Sequence, residues 1–341
     1  MRSFHPRRAR RWHVLQLFML PACLPWTPAF AAAPTACSSC HMAPPVTTAL
    51  ASECALCHRG EQTVTAPAIT ATELVETAPD TATMPARSSD KPLPGMSVPM
   101  YYEESRIGTQ PNAMSLIPAG PFTMGTDERL PDEGPAHTVT LPDYYMDTYE
   151  VTNGQYKAFI DATGHKSPAH FENRTYPPGK IDHPVVGVTW NDARDYCTWA
   201  GKRLPSDAEW EKAARGTDAR RYPWGDDFGL NRANNPQYWA SLDREGDTSP
   251  VGAFAEGVSP YGLYDMSGNV WEWTDSWYQA YPGNTHPNEN YGEHYKTLKG
   301  GSWWDCSFYK CGISAPSFNR AFFLRTTRNI SFGFRCAKDA P

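Results

Sequence analysis

Two short motifs near the N-terminus combine paired thiols with an imidazole at fixed spacing. They are Cys37-Ser-Ser-Cys40-His41 and Cys54-Ala-Leu-Cys57-His58. In a C-x-x-C-H motif the two thiols add to the vinyl groups of haem, and the histidine becomes an axial ligand of the iron. Two copies therefore predict two covalent c-type haems, with His41 and His58 as the proximal ligands.

Two other interpretations of these thiols remain open. The spacing C-x2-C-x13-C-x2-C is close to that of a four-thiolate zinc site. An oxidising compartment would also allow two disulfides. Neither alternative requires a histidine directly after both cysteine pairs, so the motif favours haem.

The first 31 residues have the features of a signal peptide that directs export to the periplasm. Five arginines and no acidic residue precede the apolar stretch 14–20, and Ala29-Phe30-Ala31 offers a cleavage site. The apolar run is shorter than the roughly 20 residues of a membrane span, so no transmembrane segment is expected after cleavage. Lipidation at Cys23 remains an alternative, which Pro21 disfavours.

The charge of the chain argues against nucleic acid as a partner. The whole sequence has a net charge of −6, and removal of the five leader arginines leaves 26 basic residues against 37 acidic ones, or −11. No basic stripe remains that could neutralise phosphates. We therefore expect protein partners, either a periplasmic protein substrate or a redox partner.

The chain divides by composition into a leader and three further parts. Residues 32–60 contain the haem motifs, 61–113 are rich in Thr, Ala, Pro and Ser and predict a flexible linker, and 114–341 are dense in Trp, Tyr and Gly. Helices are predicted over 153–162, 190–200 and 207–215, the last with a Ser206/Glu209 capping box. Strands are predicted over 122–125 and 138–141, and long ordered loops over 222–270.

The globular part also carries a series of motifs that resemble one family. The main ones are Ile117-Pro-Ala-Gly-Pro-Phe-Thr-Met-Gly125, His183-Pro-Val-Val-Gly-Val-Thr-Trp190, Tyr196-Cys-Thr-Trp-Ala-Gly-Lys-Arg-Leu-Pro205, Tyr261-Gly-Leu-Tyr-Asp-Met-Ser-Gly-Asn-Val-Trp-Glu-Trp273, Lys299-Gly-Gly-Ser302 and Gly333-Phe-Arg335. In order and spacing, residues 114–341 resemble the formylglycine-generating enzyme (sulfatase-modifying factor) family. The resemblance implies a compact α+β fold with little regular secondary structure, distantly like C-type lectins, preceded here by a short haem-binding segment.

The resemblance also implies a chemical role for one cysteine pair. Family enzymes bind copper(I) with two cysteines just after Gly-Gly-Ser and oxidise a substrate cysteine to formylglycine. Cys306 and Cys311 follow Gly300-Gly301-Ser302 here, and thiolates are ligands that copper(I) prefers. The spacer is one residue longer than in the family and the histidine after the first cysteine is absent. A Cys306–Cys311 disulfide remains an open alternative.

Further site residues follow from the same resemblance. It implies a structural disulfide between Cys197 and Cys336. It implies one calcium site at Asp265, Gly268, Val270 and Glu272, the middle two through carbonyls. It implies a second at Asn234, Asn235, Asp243 and Glu245, where Arg244-Glu245 replaces the usual Gly-aromatic pair. Carboxylates and carbonyls are the oxygen ligands that calcium prefers.

Three classes of function are compatible with these features. The first is a haem-linked oxidase that modifies or matures a periplasmic protein through Cys306 and Cys311. The second is a non-catalytic electron-transfer or assembly accessory protein of a periplasmic respiratory enzyme. The third, a calcium-dependent binding module, leaves the haem motifs unexplained. We favour the first.

Overall fold

The computed structural model describes residues 91–304 and 316–341. The predicted leader, both haem motifs, Cys306 and Cys311 lie outside the described residues. The longer helices are α1 (Asn153–Thr163), α2 (Trp190–Trp199), α3 (Asp207–Arg215) and α4 (Pro236–Ser241). The strands are β1 (Met114–Ile117), β2 (Gly120–Met124), β3 (His137–Leu141), β4 (Tyr144–Asp147), β5 (Trp271–Trp277), β6 (Lys296–Lys299), β7 (Ala321–Phe323), β8 (Phe332–Gly333) and β9 (Ala337–Asp339). Three-residue 3-10 turns occupy Pro131–Glu133, Leu230–Arg232 and Ala255–Gly257.

The described strands form three small sheets. Their orders are β1-β4-β9, β2-β3 and β7-β6-β5-β8. All pairings are antiparallel except that of β5 with β8. In the largest sheet Glu272 of β5 lies opposite Lys299, the last residue of β6. This register places the start of the Gly-Gly-Ser loop beside Glu272.

Side-chain caps fix the start of each of the three long helices. The side chains of Thr152, Thr189 and Ser206 each accept a hydrogen bond from the backbone N–H three residues later, and the side chain of that later residue accepts one from the backbone N–H of the cap. Such reciprocal caps satisfy two donors that a helix otherwise leaves unpaired. The three helices agree with the sequence prediction to within one residue at either end.

The main core lies between the first two helices and the four-stranded sheet. Tyr156 and Phe159 of α1 and Tyr196 of α2 are buried against Trp273 of β5 and Phe332 of β8. Cys197 and Cys336 lie in the same core and are joined by a disulfide, the pairing that the resemblance implies. This bond ties α2 to the residue before β9, across 139 positions of sequence.

Residues 91–102 form a strap that packs on the domain. Met96, Val98 and Met100 are buried against Tyr238 and Trp239 of α4. The sequence predicts a linker here because the apolar residues of this stretch show no sustained period. The packed part of the chain therefore begins well before residue 114.

The stretch between α3 and β5 is loop-rich, as the composition predicts. It nevertheless contains α4, which the sequence analysis missed because six residues are too few for a helical period to be visible. Within the described residues, none of the helices is long and apolar enough to cross a membrane.

Candidate functional site

The Gly-Gly-Ser loop leaves β6 in a conformation that only glycine adopts readily. Gly300 and Gly301 have φ angles of 96° and 75°. The Gly300 carbonyl accepts a hydrogen bond from Gly268 N at 2.7 Å, and Trp303 N donates to the Asn269 carbonyl at 2.9 Å. The loop that leads toward Cys306 is thus held against the loop before β5.

One buried carboxylate fixes both flanks of the segment 305–315. Asp207, the first residue of α3, lies 3.2 Å from Lys299 Nζ through Oδ1 and 3.1 Å from Arg320 Nε through Oδ2. Lys299 ends the strand before the segment, and Arg320 follows it. Burial alone would raise the pKa of Asp207, but the two cations hold it below its usual value. The carboxylate is therefore ionised and joins the two flanks at neutral pH.

A second charged cluster lies beneath the same loop. The Glu272 carboxylate accepts hydrogen bonds from Arg335 Nε at 2.7 Å and Arg335 Nη2 at 2.8 Å. It also accepts one from Trp210 Nε1 at 2.7 Å. Glu272 and Arg335 are both fully buried, so the arginine is the main electrostatic partner of this carboxylate.

Two further buried carboxylates in this cluster are held by neutral donors. Glu150 accepts from Asn269 Nδ2 at 2.6 Å and from Val270 N at 3.3 Å. Asp265 accepts from Gly252 N at 2.6 Å. Burial raises the pKa of Asp265 to about 6, and burial together with the nearby Asp265 and Glu272 raises the pKa of Glu150 well above its ordinary value. Three buried carboxylates therefore share one guanidinium.

This surplus of buried carboxyl groups over cationic side chains fits a cation at the first predicted calcium set in part. The Asp265 carboxylate has no ion-pair partner among the described residues, whereas Glu272 is already bound by Arg335 and Trp210. No three His, Cys, Asp or Glu side chains within 91–304 and 316–341 form a metal cage by themselves. A cation here would therefore depend on backbone carbonyls, as the predicted set with Gly268 and Val270 does. The calcium assignment stays a prediction.

The second predicted calcium set has other partners in the structure. Asn234 donates to the Asp247 carbonyl and accepts from Trp239 Nε1 at 2.6 Å, and Asn235 caps α4 through Tyr238 N. Asp243 and Glu245 are exposed. The asparagine side chains are therefore engaged in holding the loop and the helix, and a metal role for this set also stays a prediction.

Asn269 lies at the centre of these loops and is not among the predicted site residues. It is fully buried with a φ of 61°, and its backbone N donates to the Asn234 carbonyl at 2.8 Å. Its side chain accepts from Ser249 N at 2.9 Å and donates to Glu150. Together with its carbonyl bond to Trp303, these contacts join the calcium-set loops to the Gly-Gly-Ser loop. Its place between Gly268 and Val270 in a family motif was the available signal.

The fold and the loop geometry define the class of protein to which this domain belongs. Residues 102–340 match the sulfatase-modifying factor enzyme 1-like domain. The chain therefore belongs to the formylglycine-generating enzyme and sulfatase-modifying factor family, as the motifs predict.

The family includes both active and inactive relatives at similar distances. The mouse formylglycine-generating enzyme is 35% identical over 295 residues, which cover 68% of this chain and 77% of that protein. The mouse inactive C-alpha-formylglycine-generating enzyme 2 is 34% identical over 284 residues, which cover 68% and 87%. Family membership alone therefore does not decide whether this chain is an enzyme.

Two further similar proteins are a solved structure and a longer protein. The solved structure of PvdO from Pseudomonas aeruginosa is 29% identical, covers 73% of this chain and all of its own, and gives a TM-score of 0.56. The serine/threonine-protein kinase Pkn1 of Chlamydia trachomatis is 35% identical over 262 residues, and this chain spans 40% of its length.

Proposed function

We propose that this chain is an exported dihaem c-type cytochrome whose family domain modifies or matures a protein in the periplasm. Cys306 and Cys311 would hold copper(I), and a side chain of the partner protein, a cysteine in the simplest case, would be oxidised by dioxygen, the oxidant that the family resemblance implies. The haems at the two C-x-x-C-H motifs would exchange electrons with that site or with a redox partner. The role of copper follows from the preference of thiolates for this ion.

The observation that carries the proposal is the pairing of Asp207 with two cationic side chains. A single buried carboxylate pairs with Lys299 before the cysteine segment and with Arg320 after it. A buried ion network of this kind is costly to assemble and is sensitive to geometry. It holds Lys299 and Arg320 at a fixed separation, and this supports a site between them in the sequence that depends on geometry, as a metal-binding pair of cysteines does.

Copper stoichiometry in the full chain tests the proposal. The wild-type protein, reduced and loaded with copper(I), is expected to retain one copper ion per domain, and Cys306→Ser or Cys311→Ser is expected to lose it. Ser307→Ala lies in the same segment and is the matched control, which should keep its copper. Equal copper in wild type and Cys306→Ser would contradict the proposal.

A second candidate is a non-catalytic accessory role in electron transfer or assembly. It is favoured by the inactive relative and by the departures from the family pattern next to Cys306, where Trp303-Trp304-Asp305 forms the spacer. The oxidation state of the cysteines separates the two candidates. A quantitative Cys306–Cys311 disulfide that binds no copper would favour the accessory role, whereas two free thiols that bind copper would favour the oxidase.

A further inference from the structure

Two cavities adjoin each other where α4 meets the Gly-Gly-Ser loop. One, of about 320 Å³, is lined by Met100 and Tyr101 of the strap and by residues 244–247. The other, of about 210 Å³, is lined by Pro236, Ala240, Trp303 and Trp304. Trp239, Arg244 and Gly246 line both. We call the two together the tryptophan cleft.

Gly246 allows two indole rings to pack against the main chain of the cleft. A Cβ atom at this position would lie 2.8 Å from Trp303 Cε3 and 3.0 Å from Trp239 Cδ1. Trp239 is further fixed because its Nε1 donates to Asn234 at 2.6 Å. The aromatic walls are therefore rigid, which lowers the entropy cost of binding a ligand against them.

Arg244 brings a positive charge to these aromatic walls. It is exposed, and its guanidinium has neither an ion pair nor a hydrogen bond within the part of the chain that the structure describes. Two acidic residues line the larger cavity. Asp247 is already engaged, since Lys180 lies 2.6 Å from it and the Tyr101 hydroxyl donates to it at 2.9 Å. Glu245 is exposed, so the charge of Arg244 acts mainly in the smaller cavity, which Glu245 does not line. In the smaller cavity Arg244 is the single charged lining residue.

The two neighbouring tryptophans of the wall differ in exposure. Trp303 Nε1 is buried and has no hydrogen-bond partner among the described residues. Trp304 beside it is 54% exposed, so the cleft is open to solvent on this side.

We propose that the tryptophan cleft binds a peptide segment of the protein substrate that presents a carboxylate next to an apolar side chain. The carboxylate pairs with Arg244, and the apolar side chain lies against Trp303 and Trp304. The charge of Arg244 selects a carboxylate because a planar guanidinium can donate two parallel hydrogen bonds to it. This inference rests on the proposed function and specifies its substrate, since Trp304 lies two positions before Cys306.

Titration calorimetry of the full chain with short peptides tests the inference. The probes are acetyl-Gly-Leu-Glu-Gly-amide, its Gln analogue, and acetyl-Gly-Leu-Gly with a free C-terminal carboxylate. At least one carboxylate peptide is expected to bind about tenfold more tightly than the Gln analogue. The two carboxylate peptides distinguish an internal acidic residue from a chain terminus.

Substitutions in the cleft separate recognition of charge from packing. Arg244→Gln should abolish the preference for a carboxylate, and Arg244→Lys should restore part of it. Arg232→Gln, another partly exposed arginine that does not line the cleft, should leave the preference intact. Trp304→Ala should weaken all three peptides alike. Equal binding of the Glu and Gln peptides, no binding in the millimolar range, or an unchanged preference in Arg244→Gln would overturn the inference.

Peptide titration and copper analysis of the same wild-type sample distinguish this inference from the proposed function. A wild-type protein that prefers the carboxylate peptides but retains no copper after loading with copper(I) would leave the cleft assignment standing and contradict the proposed oxidase. A wild-type protein that retains copper but shows no preference for the carboxylate peptides would overturn the cleft assignment and leave the proposed oxidase standing.

Discussion

At the scale of single residues, burial decides what the charged groups of this domain do. Glu272 was assigned to calcium from its place in a motif, and in the structure both its oxygens face Arg335. Glu150 and Asp265 are buried beside it with neutral donors. This cluster of carboxyl groups could not be inferred from sequence, because it depends on the contact of residue 150 with the distant stretch 265–272.

The ion pair of Glu272 with Arg335 should contribute strongly to stability. Glu272→Gln leaves the Arg335 charge without its main partner, and we expect the free energy of unfolding to fall by roughly 3 kcal/mol in urea denaturation. The control Glu128→Gln breaks an exposed pair with Arg221 and should cost less than about 1 kcal/mol. Similar losses in the two variants, measured with a chelator present, would contradict the buried-pair account.

Calcium should stabilise the domain if Asp265 is a ligand. A ligand that binds only the folded state stabilises it by about 2.7 kcal/mol at a hundredfold excess over its Kd. A chelator should therefore lower the Tm at neutral pH and shift the tryptophan fluorescence, because Trp271 and Trp273 follow this loop directly. Asp265→Asn should remove both responses. Asp243→Asn, in the second predicted calcium set, tests that set separately. An unchanged Tm after chelation of calcium-loaded wild type would remove calcium from the account.

At the scale of elements, the strap and α4 form a small core of their own. Met96, Val98 and Met100 pack on Tyr238, Trp239 and Phe254, and the Ser97 backbone N donates to the Ala253 carbonyl at 2.7 Å. The strap therefore also forms one wall of the tryptophan cleft, through Met100 and Tyr101.

Truncation of buried methionines in the strap should destabilise the domain. Met96→Ala and Met100→Ala each remove a buried side chain, and we expect each to cost about 2–4 kcal/mol. Leu116→Ala, at a side chain that is 47% exposed, is the control and should have a much smaller effect. Chemical denaturation followed by tryptophan fluorescence measures all three. If the strap variants matched the control, this segment would not be part of the core.

The sequence predicted the elements whose signals are local. The helices at 153, 190 and 207 start at capping residues adjacent to apolar periods, and strands β2 and β3 alternate within five residues. The strap, α4 and the ion pairs of Asp207 could not be predicted in this way, because each depends on contacts between distant parts of the chain. The Cys197–Cys336 bond was accessible only through the family resemblance.

At the scale of the whole molecule, buried histidine makes stability depend on pH. His183 is buried between Met100 and Thr248, with Nε2 2.7 Å from the Met100 carbonyl and Nδ1 2.8 Å from the Thr248 hydroxyl. Burial, with a smaller effect of Lys180 opposed by Asp247, lowers its pKa to about 4. A lowered histidine pKa means that the folded state favours the neutral ring, so its contribution is complete above the unfolded value near 6.5 and is lost as the pH falls toward 4.

His183→Gln should therefore have a shallower pH dependence than the wild type. The variant is expected to be less stable at pH 7.5, and the difference should shrink by up to about 3 kcal/mol as the pH falls to 4.5. His286→Gln, at an exposed position, should follow the wild-type profile. Thermal melts across this pH range measure the difference in stability between the wild type and the variant. A difference in stability that stays constant with pH would show that His183 does not titrate in this range.

The account joins two parts of the chain, and one analysis of the intact protein addresses both. The full chain, produced with the c-type haem assembly machinery and loaded with copper(I), is assayed for haem and metals on the same sample. We predict two covalent haems and one copper ion per chain, with the copper lost and both haems kept in Cys306→Ser. One zinc ion per chain without haem, or two haems with no copper in the reduced wild-type protein, would contradict it.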